Sequence, residues 1–251
     1  MFKSVVPIST SRHGGKKLRP ITDYRFAAEQ HLCPIVAAEF PRAASSYPIV
    51  FLKDEQGDMG AFALLGVQQG KNLFVDDEGR WHAAYVPAAI RRYPFIFSRT
   101  QEADTFTLCI DEGADLLSDE EGQPLFSEEN EPAEPLKKAM DFLKGFQVQH
   151  QQTEALCRVL SERDMFRALQ IQAQVARGRQ YTLRGIFAVD ETKLNALPGE
   201  DFLEWRKRGW LPLVYAHLTS IGQVALLVER VEQQQRRETN RKEESGAPIV
   251  H

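Results

Sequence analysis

The stretch PIVFLKDEQGDMGAFALL, residues 48–65, decides the fold class. It holds two compact apolar runs, 48–52 and 61–65, separated by residues 53–58, which are charged or polar apart from one glycine. Short apolar runs on either side of such a turn composition are typical of a β-hairpin. The sequence therefore predicts an antiparallel pair of strands at this point of the chain.

Further short strands are predicted around this hairpin. Residues 72–75 and 81–86 flank an acidic turn that contains Gly79, and we expect a second hairpin because glycine adopts positive φ easily. Pro87 opens a short helical turn that runs through Arg92, where its missing N–H does no harm. Other apolar runs that predict strands lie at residues 5–8, 94–97 and 106–110. Successive short strands joined by tight turns favour an antiparallel sheet.

The second half of the chain predicts mainly helices. Apolar residues at helical spacings predict a helix over residues 136–167, in which Ser161 and Asp164 resemble a capping box that starts a new helix or turn. One strand is predicted at 181–189, and further helices are predicted at 190–197, 201–209 and 213–231. We therefore expect an α+β fold, with a largely antiparallel sheet from the N-terminal half and helices packed on it from the C-terminal half.

Two charged segments mark the expected domain limits. Residues 111–135 hold ten acidic residues and no basic one, which predicts a solvated connecting loop whose apolar piece, 124–126, docks on the protein. We expect its carboxylates to neutralise the arginines that lie between residues 158 and 184. Residues 232–251 lack apolar anchors and predict a disordered polar tail or a frayed helix end. The expected organisation is one α+β domain, 1–231, followed by this tail.

The composition argues against several classes of protein. The formal net charge is -4, which argues against nucleic-acid binding as the main task, because phosphate affinity needs clustered positive charge. No apolar run approaches the ~20 residues of a membrane span and no signal sequence follows Met1, so we expect a soluble, cytoplasmic protein. Cys33, Cys109 and Cys157 lie among apolar neighbours without metal-ligand spacing, which predicts buried thiols.

The Arg91-Arg92-Tyr93 segment is the first candidate for a binding site. Arginine suits planar recognition of a carboxylate or phosphate, and residues on connections between rigid elements often bind ligands. Trp81 and Tyr85 are expected to supply an apolar wall. The alternative is a structural ion pair between an arginine and Glu39 or an acid of the 111–135 segment.

Three further polar residues are candidates, each with a structural alternative. Asn72 lies in the predicted second hairpin, where its side chain is also suited to bonding the backbone. His13 follows the first strand, and His217 lies three residues before Ser220 on a predicted helix face. Both histidines suit acid/base work near neutral pH, and both also suit hydrogen-bonded structural roles. No nucleotide-binding or metal-binding motif is present, so no cofactor and no metal are expected.

Several short motifs together resemble a known family. They include the segments at residues 6–9, 34–36, 47–51, 64–66, 72–75, 85–87, 90–95, 185–191 and 215–218. Their order over roughly residues 1–230 is similar to the bacterial SapC-like family. The family's name comes from a gene associated with surface-layer proteins and is shared with an unrelated peptide-transport permease. The resemblance implies no established catalytic residues.

Three functions stay open from the sequence. The first is a non-catalytic binding or accessory protein that recognises a peptide or small anionic ligand through Arg91 or Arg92, Tyr93 and Trp81. The second is an enzyme that uses His13 or His217 as acid/base beside Glu39. The third is a surface-layer-associated structural protein, which the family's name alone suggests. The sequence has no recognised nucleophile, metal or nucleotide motif, and this favours the first function.

Overall fold

The computed structural model describes residues 1–99, 106–174 and 180–244, with strands concentrated in the first half of the chain and helices in the second. The strands are β1 (Val5–Pro7), β2 (Lys17–Leu18), β3 (Leu32–Pro34), β4 (Ile49–Lys53), β5 (Met59–Leu64), β6 (Phe95–Arg99), β7 (Phe106–Asp111), β8 (Leu117–Ser118), β9 (Gln123–Pro124), β10 (Phe166–Gln174) and β11 (Gln180–Val189). The helices are α1 (Thr10–His13), α2 (Phe40–Ala43), α3 (Ala88–Arg91), α4 (Glu134–Glu162), α5 (Glu191–Asn195), α6 (Gly199–Lys207), α7 (Trp210–Ser220) and α8 (Gln223–Glu244). This arrangement confirms the α+β class.

The main sheet has five antiparallel strands in the order β10–β11–β4–β5–β3. Its centre is the predicted hairpin of β4 and β5, in which Asp54 accepts a hydrogen bond from the Asp58 N–H and Gly57 adopts a φ of 91°. Strand β10 was not predicted, although the apolar residues of Phe166–Gln174 alternate with arginine and glutamine as in a half-buried strand. Two strands of the sheet thus come from the C-terminal half.

The predicted second hairpin is reduced to one bridge between Val75 and Trp81. Its turn forms as expected, with Gly79 at a φ of 79°. The ladder does not extend, because Asn72 donates its backbone N–H to Ala28 and its side-chain amide to Ala27 instead. The loop at residues 27–28, and not a partner strand, therefore holds this segment in place.

Two apolar clusters form the core. The larger lies around the main sheet and includes Tyr47, Phe51, Leu156 and Trp205. The smaller lies around the sheet β1–β7–β6 and includes Phe95 and Leu143. Helix α4 contributes to both, so it connects the two halves of the core. It ends at Glu162, and Asp164 then takes a positive φ of 51°, so the predicted capping box does not start a new helix.

The acidic segment is more structured than predicted. Its strands β8 and β9 pair with the two sides of β2, and Leu125 and Phe126 are buried, as expected for the docking piece. Asp111 is fully buried in β7, which corrects the expectation that this residue is solvated. The acids pair with the N-terminal segment, as in the contacts of Glu112 with Arg12 and of Asp119 with Lys16. Within residues 1–99, 106–174 and 180–244, no ion pair joins them to the later arginines. The pairing of β2 with β8 and β9 brings the basic residues of the N-terminal segment next to the acidic segment.

The predicted helix 213–231 is divided into α7 and α8 by a break at Ile221 and Gly222. Helix α8 continues through Glu244 into the predicted tail, whereas residues 245–251 lie outside the described residues. By length and composition alone, Trp210–Arg236 is long and apolar enough to cross a membrane, contrary to the expectation that no stretch is. Buried core helices pass the same test; here 28% of the apolar window is buried, including Leu211 and Val214 of α7 in the larger cluster.

Candidate binding site

Glu39 organises the loop that precedes α3. The side chain is buried, and its Oε1 accepts hydrogen bonds from Tyr85 Oη at 2.6 Å and from the Ala88 N–H at 2.7 Å. Its Oε2 accepts the Val36 N–H at 3.0 Å. Burial raises the pKa of Tyr85 to about 12, and the hydrogen bond to Glu39 acts in the same direction. Glu39 is thus committed to fixed donors, and Tyr85 stays protonated as one of them.

Arg91 reaches Glu39 only through Tyr85. Its Nη2 donates to Tyr85 Oη at 3.2 Å, and its Nε donates to the Val86 carbonyl at 3.0 Å. The guanidinium lies 5.6 Å from the Tyr85 ring centroid and 5.2 Å from that of Phe142 on α4. Such positions over aromatic faces attract a cation. No ion pair joins Arg91 to Glu39, so the structural pair considered from the sequence is replaced by a tyrosine bridge in the described part of the chain.

Arg92 lies over a different phenylalanine of α4. Its guanidinium lies between two rings, 5.7 Å from the centroid of Phe2 and 5.3 Å from that of Phe146. Burial lowers the pKa of Arg92, and its buried Nε has no hydrogen-bond partner among the described residues. Burial raises the pKa of the nearby Cys33 thiol, and the charge of the Arg92 guanidinium offsets part of this increase. The two arginines therefore project in different directions, as expected for neighbours on a helix, but both rest on α4 phenylalanines.

Tyr93 is buried and has structural partners. Its ring stacks on Phe26 with centroids 4.1 Å apart, and its hydroxyl donates to Asp111 at 3.3 Å. Although burial raises the pKa of Asp111, hydrogen bonds from the N–H groups of Ser4, Lys3 and Gly113 lower it overall. Tyr93 thus joins α3 to β7, and it contacts Phe2, the ring that also lies beside Arg92.

Trp81 and Asn72 have structural partners. Trp81 Nε1 donates to Tyr47 Oη at 2.9 Å and to the Tyr85 carbonyl at 3.1 Å, which anchors Tyr85 from behind. Asn72 uses its side-chain oxygen to accept the Phe74 N–H at 2.9 Å and its amide to bond Ala27. Trp81 therefore supports the arginine site indirectly, whereas Asn72 lies apart from it.

The two candidate histidines contact different parts of the fold. His217 Nε2 accepts the Val189 N–H at 3.0 Å, and its Nδ1–H donates to the Ile49 carbonyl at 2.9 Å. Burial lowers the pKa of His217 to about 4. His13 accepts the Ser9 N–H at Nδ1, and its Nε2 lies 3.2 Å from Glu112 without the alignment of a hydrogen bond. Neither histidine contacts Glu39, so the fold does not bring the predicted acid/base set together.

The residues described contain no group of three or more histidine, cysteine or acidic side chains that is arranged to hold a metal ion. The three cysteines are free and buried, as predicted. Burial raises the pKa of Cys157 to about 12, which keeps its thiol protonated and unreactive.

Sequence reasoning missed the aromatic support of the arginines. Phe142 and Phe146 lie four residues apart in α4, a spacing that places them on one helix face beneath Arg91 and Arg92. The i, i+4 pair was visible within the predicted helix, but nothing in the sequence indicates that α3 packs against it. The same helix also forms one wall of a cleft of about 670 Å³, lined by His150, Glu154 and Arg158.

The architecture defines an α+β protein in which a long helix supports a pair of arginines beside an antiparallel sheet. The SapC family model matches residues 8–227 of the 251-residue chain, so the chain belongs to the SapC family and the resemblance inferred from the motifs is confirmed. No curated protein and no solved structure matches the chain.

Proposed function

We propose that the chain is a non-catalytic binding protein that recognises a peptide or a small anionic ligand through Arg91 and Arg92. One observation carries the proposal. Both guanidinium groups rest over aromatic rings, and among the described residues neither forms an ion pair with a carboxylate. Arginine kept apart from protein acids retains donors for an external carboxylate or phosphate, which it binds in a planar, bidentate geometry.

Arg91 is held in a fixed orientation. Its Nε and Nη2 are used by Val86 and by Tyr85, whose own proton is committed to Glu39. These hydrogen bonds leave the outer edge of the guanidinium directed to solvent, because Arg91 is exposed. A cation that is oriented before binding loses less entropy when the ligand arrives.

Arg92 supports the proposal through its unpaired donor. Leaving a buried donor without a partner costs about 1–3 kcal/mol, and more when the group is charged. The Nε of Arg92 is in this state, while two aromatic rings stabilise the charge of its guanidinium. An anionic group at the guanidinium of Arg92 would supply the counter-charge that no described carboxylate provides, which favours binding at this position.

Glu39 and His217 fit a role in support and not in chemistry. Each Glu39 oxygen accepts protein donors, and both His217 ring nitrogens bond backbone groups. A general base must reach a substrate proton directly or through one water, and these contacts leave neither group free to do so. For Glu39 and His217, support of a binding site is therefore the simplest role.

The test uses succinate and phosphate as anionic probes and succinamide as the uncharged control. We expect chemical-shift changes for residues 86–93 with the anions, and a loss of about tenfold or more in affinity in Arg91→Gln and Arg92→Lys. Lysine keeps the charge of Arg92 but lacks the planar fork, so Arg92→Lys separates geometry from charge. Arg42→Gln, at an exposed arginine on α2, is the matched control. Equal binding of succinamide, or no response of residues 86–93 to any anion, would contradict the proposal.

A further inference from the structure

A cleft of about 670 Å³ lies between the β4–β5 hairpin and the C-terminal half of α4. This volume is within the range of small-molecule sites, which are commonly about 300–1,000 Å³. The hairpin contributes Leu52 and Phe62, and the helix contributes His150, Glu154 and Arg158. The cleft does not include Arg91 or Arg92 and is separate from the proposed anion site.

The floor of the cleft is apolar and incompletely covered. Leu52 lies opposite Gly60, and Val50 lies opposite Phe62, so all four share one face of the sheet. Val50 is fully buried, whereas Leu52 and Phe62 stay partly exposed toward the end of the hairpin. A side chain at position 60 would meet the Phe62 ring at 3.0 Å, and glycine keeps this part of the floor open.

The walls of the cleft carry an excess of negative charge. Four carboxylates line it, those of Asp54, Asp58, Glu154 and Glu162. Lys53 also lines it, but it alternates with Leu52 along β4, and its ammonium lies on the other face, 5.5 Å from the Phe187 ring centroid. Arg158 is the other cation in the lining. The field inside therefore favours a positively charged occupant.

The helical wall is regular. His150, Glu154, Arg158 and Glu162 lie at successive intervals of four residues, so they follow one another along the side of α4. The Glu154 carboxylate is 3.9 Å from His150 Nε2, and both side chains are largely exposed. Glu154 is therefore accessible to a ligand in the cleft.

We propose that this cleft binds an organic cation that joins an alkyl body to an ammonium or guanidinium group. The alkyl part packs on Leu52 and Phe62, and burial of apolar surface contributes about 25 cal/mol per Å². The cationic head lies among the carboxylates of Asp54, Asp58 and Glu154. A free alkylamine and the side chain of a peptide lysine share this chemistry.

Hexylamine, hexanoate and hexanol test the charge and the apolar body separately. Titration of the full chain, followed by amide chemical shifts, is expected to place hexylamine at residues 52–62 and 150–162. Hexanoate is expected to bind at least about tenfold more weakly, because the same body carries the opposite charge. Acetyl-lysine amide is titrated in parallel to distinguish a peptide lysine from a free amine. Tighter binding of acetyl-lysine amide than of hexylamine indicates the peptide source, because backbone contacts then contribute.

Variants of the cleft give the decisive comparison. The pair Asp58→Asn and Glu154→Gln is expected to weaken hexylamine about tenfold, whereas Arg158→Gln is expected to strengthen it by removing a like charge. The pair Glu128→Gln and Glu131→Gln makes the same change in net charge at exposed positions away from the cleft and should have no effect. Binding of hexanoate as tight as that of hexylamine, shifts outside the cleft, or no shifts at millimolar hexylamine would overturn the proposal. Arg91→Gln should leave hexylamine binding unchanged, so the two sites fail or succeed separately.

Discussion

His217 takes the place of a backbone contact between two strands. Strands β11 and β4 pair at Ile186 with Leu52 and at Phe187 with Phe51, so this register would set Val189 opposite Ile49. The imidazole instead bonds the Val189 N–H and the Ile49 carbonyl, and Ser220 accepts the Ile49 N–H at 2.9 Å. Helix α7 is thereby joined to the sheet by side chains that complete its backbone hydrogen bonds.

His217 is expected to make stability depend on pH. Burial lowers its native pKa to about 4, below the usual 6.5 of the unfolded chain. The unfolded state therefore binds a proton that the native state does not as pH falls through this window. The contribution of neutral His217 to the unfolding free energy is complete above about pH 6.5. About 3 kcal/mol of this free energy is lost when the pH falls to 4. Urea denaturation of wild type and His217→Leu across this range measures it.

The variant should be less stable at pH 7, because two backbone groups lose their partner, and its stability should fall less steeply with acid. His150→Gln changes an exposed histidine and is the control that keeps the wild-type slope. Parallel slopes in wild type and His217→Leu would assign the acid sensitivity to other groups, such as Asp111.

Glu39 is expected to contribute mainly to stability. In Glu39→Ala, the N–H groups of Val36 and Ala88 lose their acceptor, and each unpaired buried donor costs about 1–3 kcal/mol. Chemical denaturation should therefore show a loss of roughly 3 kcal/mol or more, whereas exposed Glu29→Ala should change stability by less than about 0.5 kcal/mol. A loss in Glu39→Ala no larger than in the control would contradict the hydrogen-bond network.

At the scale of elements, the local sequence pattern was sufficient to predict a strand pair where the apolar runs and the turn indicated the same structure. The hairpin of β4 and β5 combines apolar runs with a glycine turn, and its strands formed as predicted. Strand β10 has a local signal of this kind, since its apolar and polar residues alternate and its partner β11 is the next strand. The pairing of β8 and β9 with β2, by contrast, depends on partners distant in the sequence, which composition does not encode. For the same reason the arginine pair was predicted from its residue types, but its aromatic support from α4 was not.

Helix α4 contains a glycine that the fold does not require. Gly145 is exposed in the middle of α4, and an added Cβ would meet no atom within 4 Å. Alanine is about 1 kcal/mol more favourable than glycine inside a helix, so Gly145→Ala should raise the unfolding free energy by about that amount. Gly66→Ala is the opposite case, because its Cβ would lie 1.9 Å from the Lys71 carbonyl oxygen. Denaturation midpoints of the two variants should move in opposite directions.

At the scale of the molecule, α4 joins two cores of different size. Leu136 and Leu143 in its N-terminal half belong to the smaller cluster, and Leu156 and Leu160 belong to the larger. The same helix supports the arginine pair at Phe142 and Phe146 and forms a wall of the negatively charged cleft further along. One continuous element thus holds two proposed sites of opposite charge preference, and their spacing depends on the rigidity of α4.

We expect α4 to make the two cores unfold as one unit. The three tryptophans, Trp81, Trp205 and Trp210, all contact the larger cluster, so tryptophan fluorescence reports that core, whereas far-UV circular dichroism reports the whole chain. Leu143→Ala creates a cavity in the smaller cluster that should cost about 2–5 kcal/mol. With coupled cores, both signals shift to the same lower urea midpoint, although none of the three tryptophans belongs to the smaller cluster. Lys144→Ala, at the exposed neighbouring position, should leave both midpoints in place. A Leu143→Ala variant in which circular dichroism moves and fluorescence does not would mean that the two cores unfold independently.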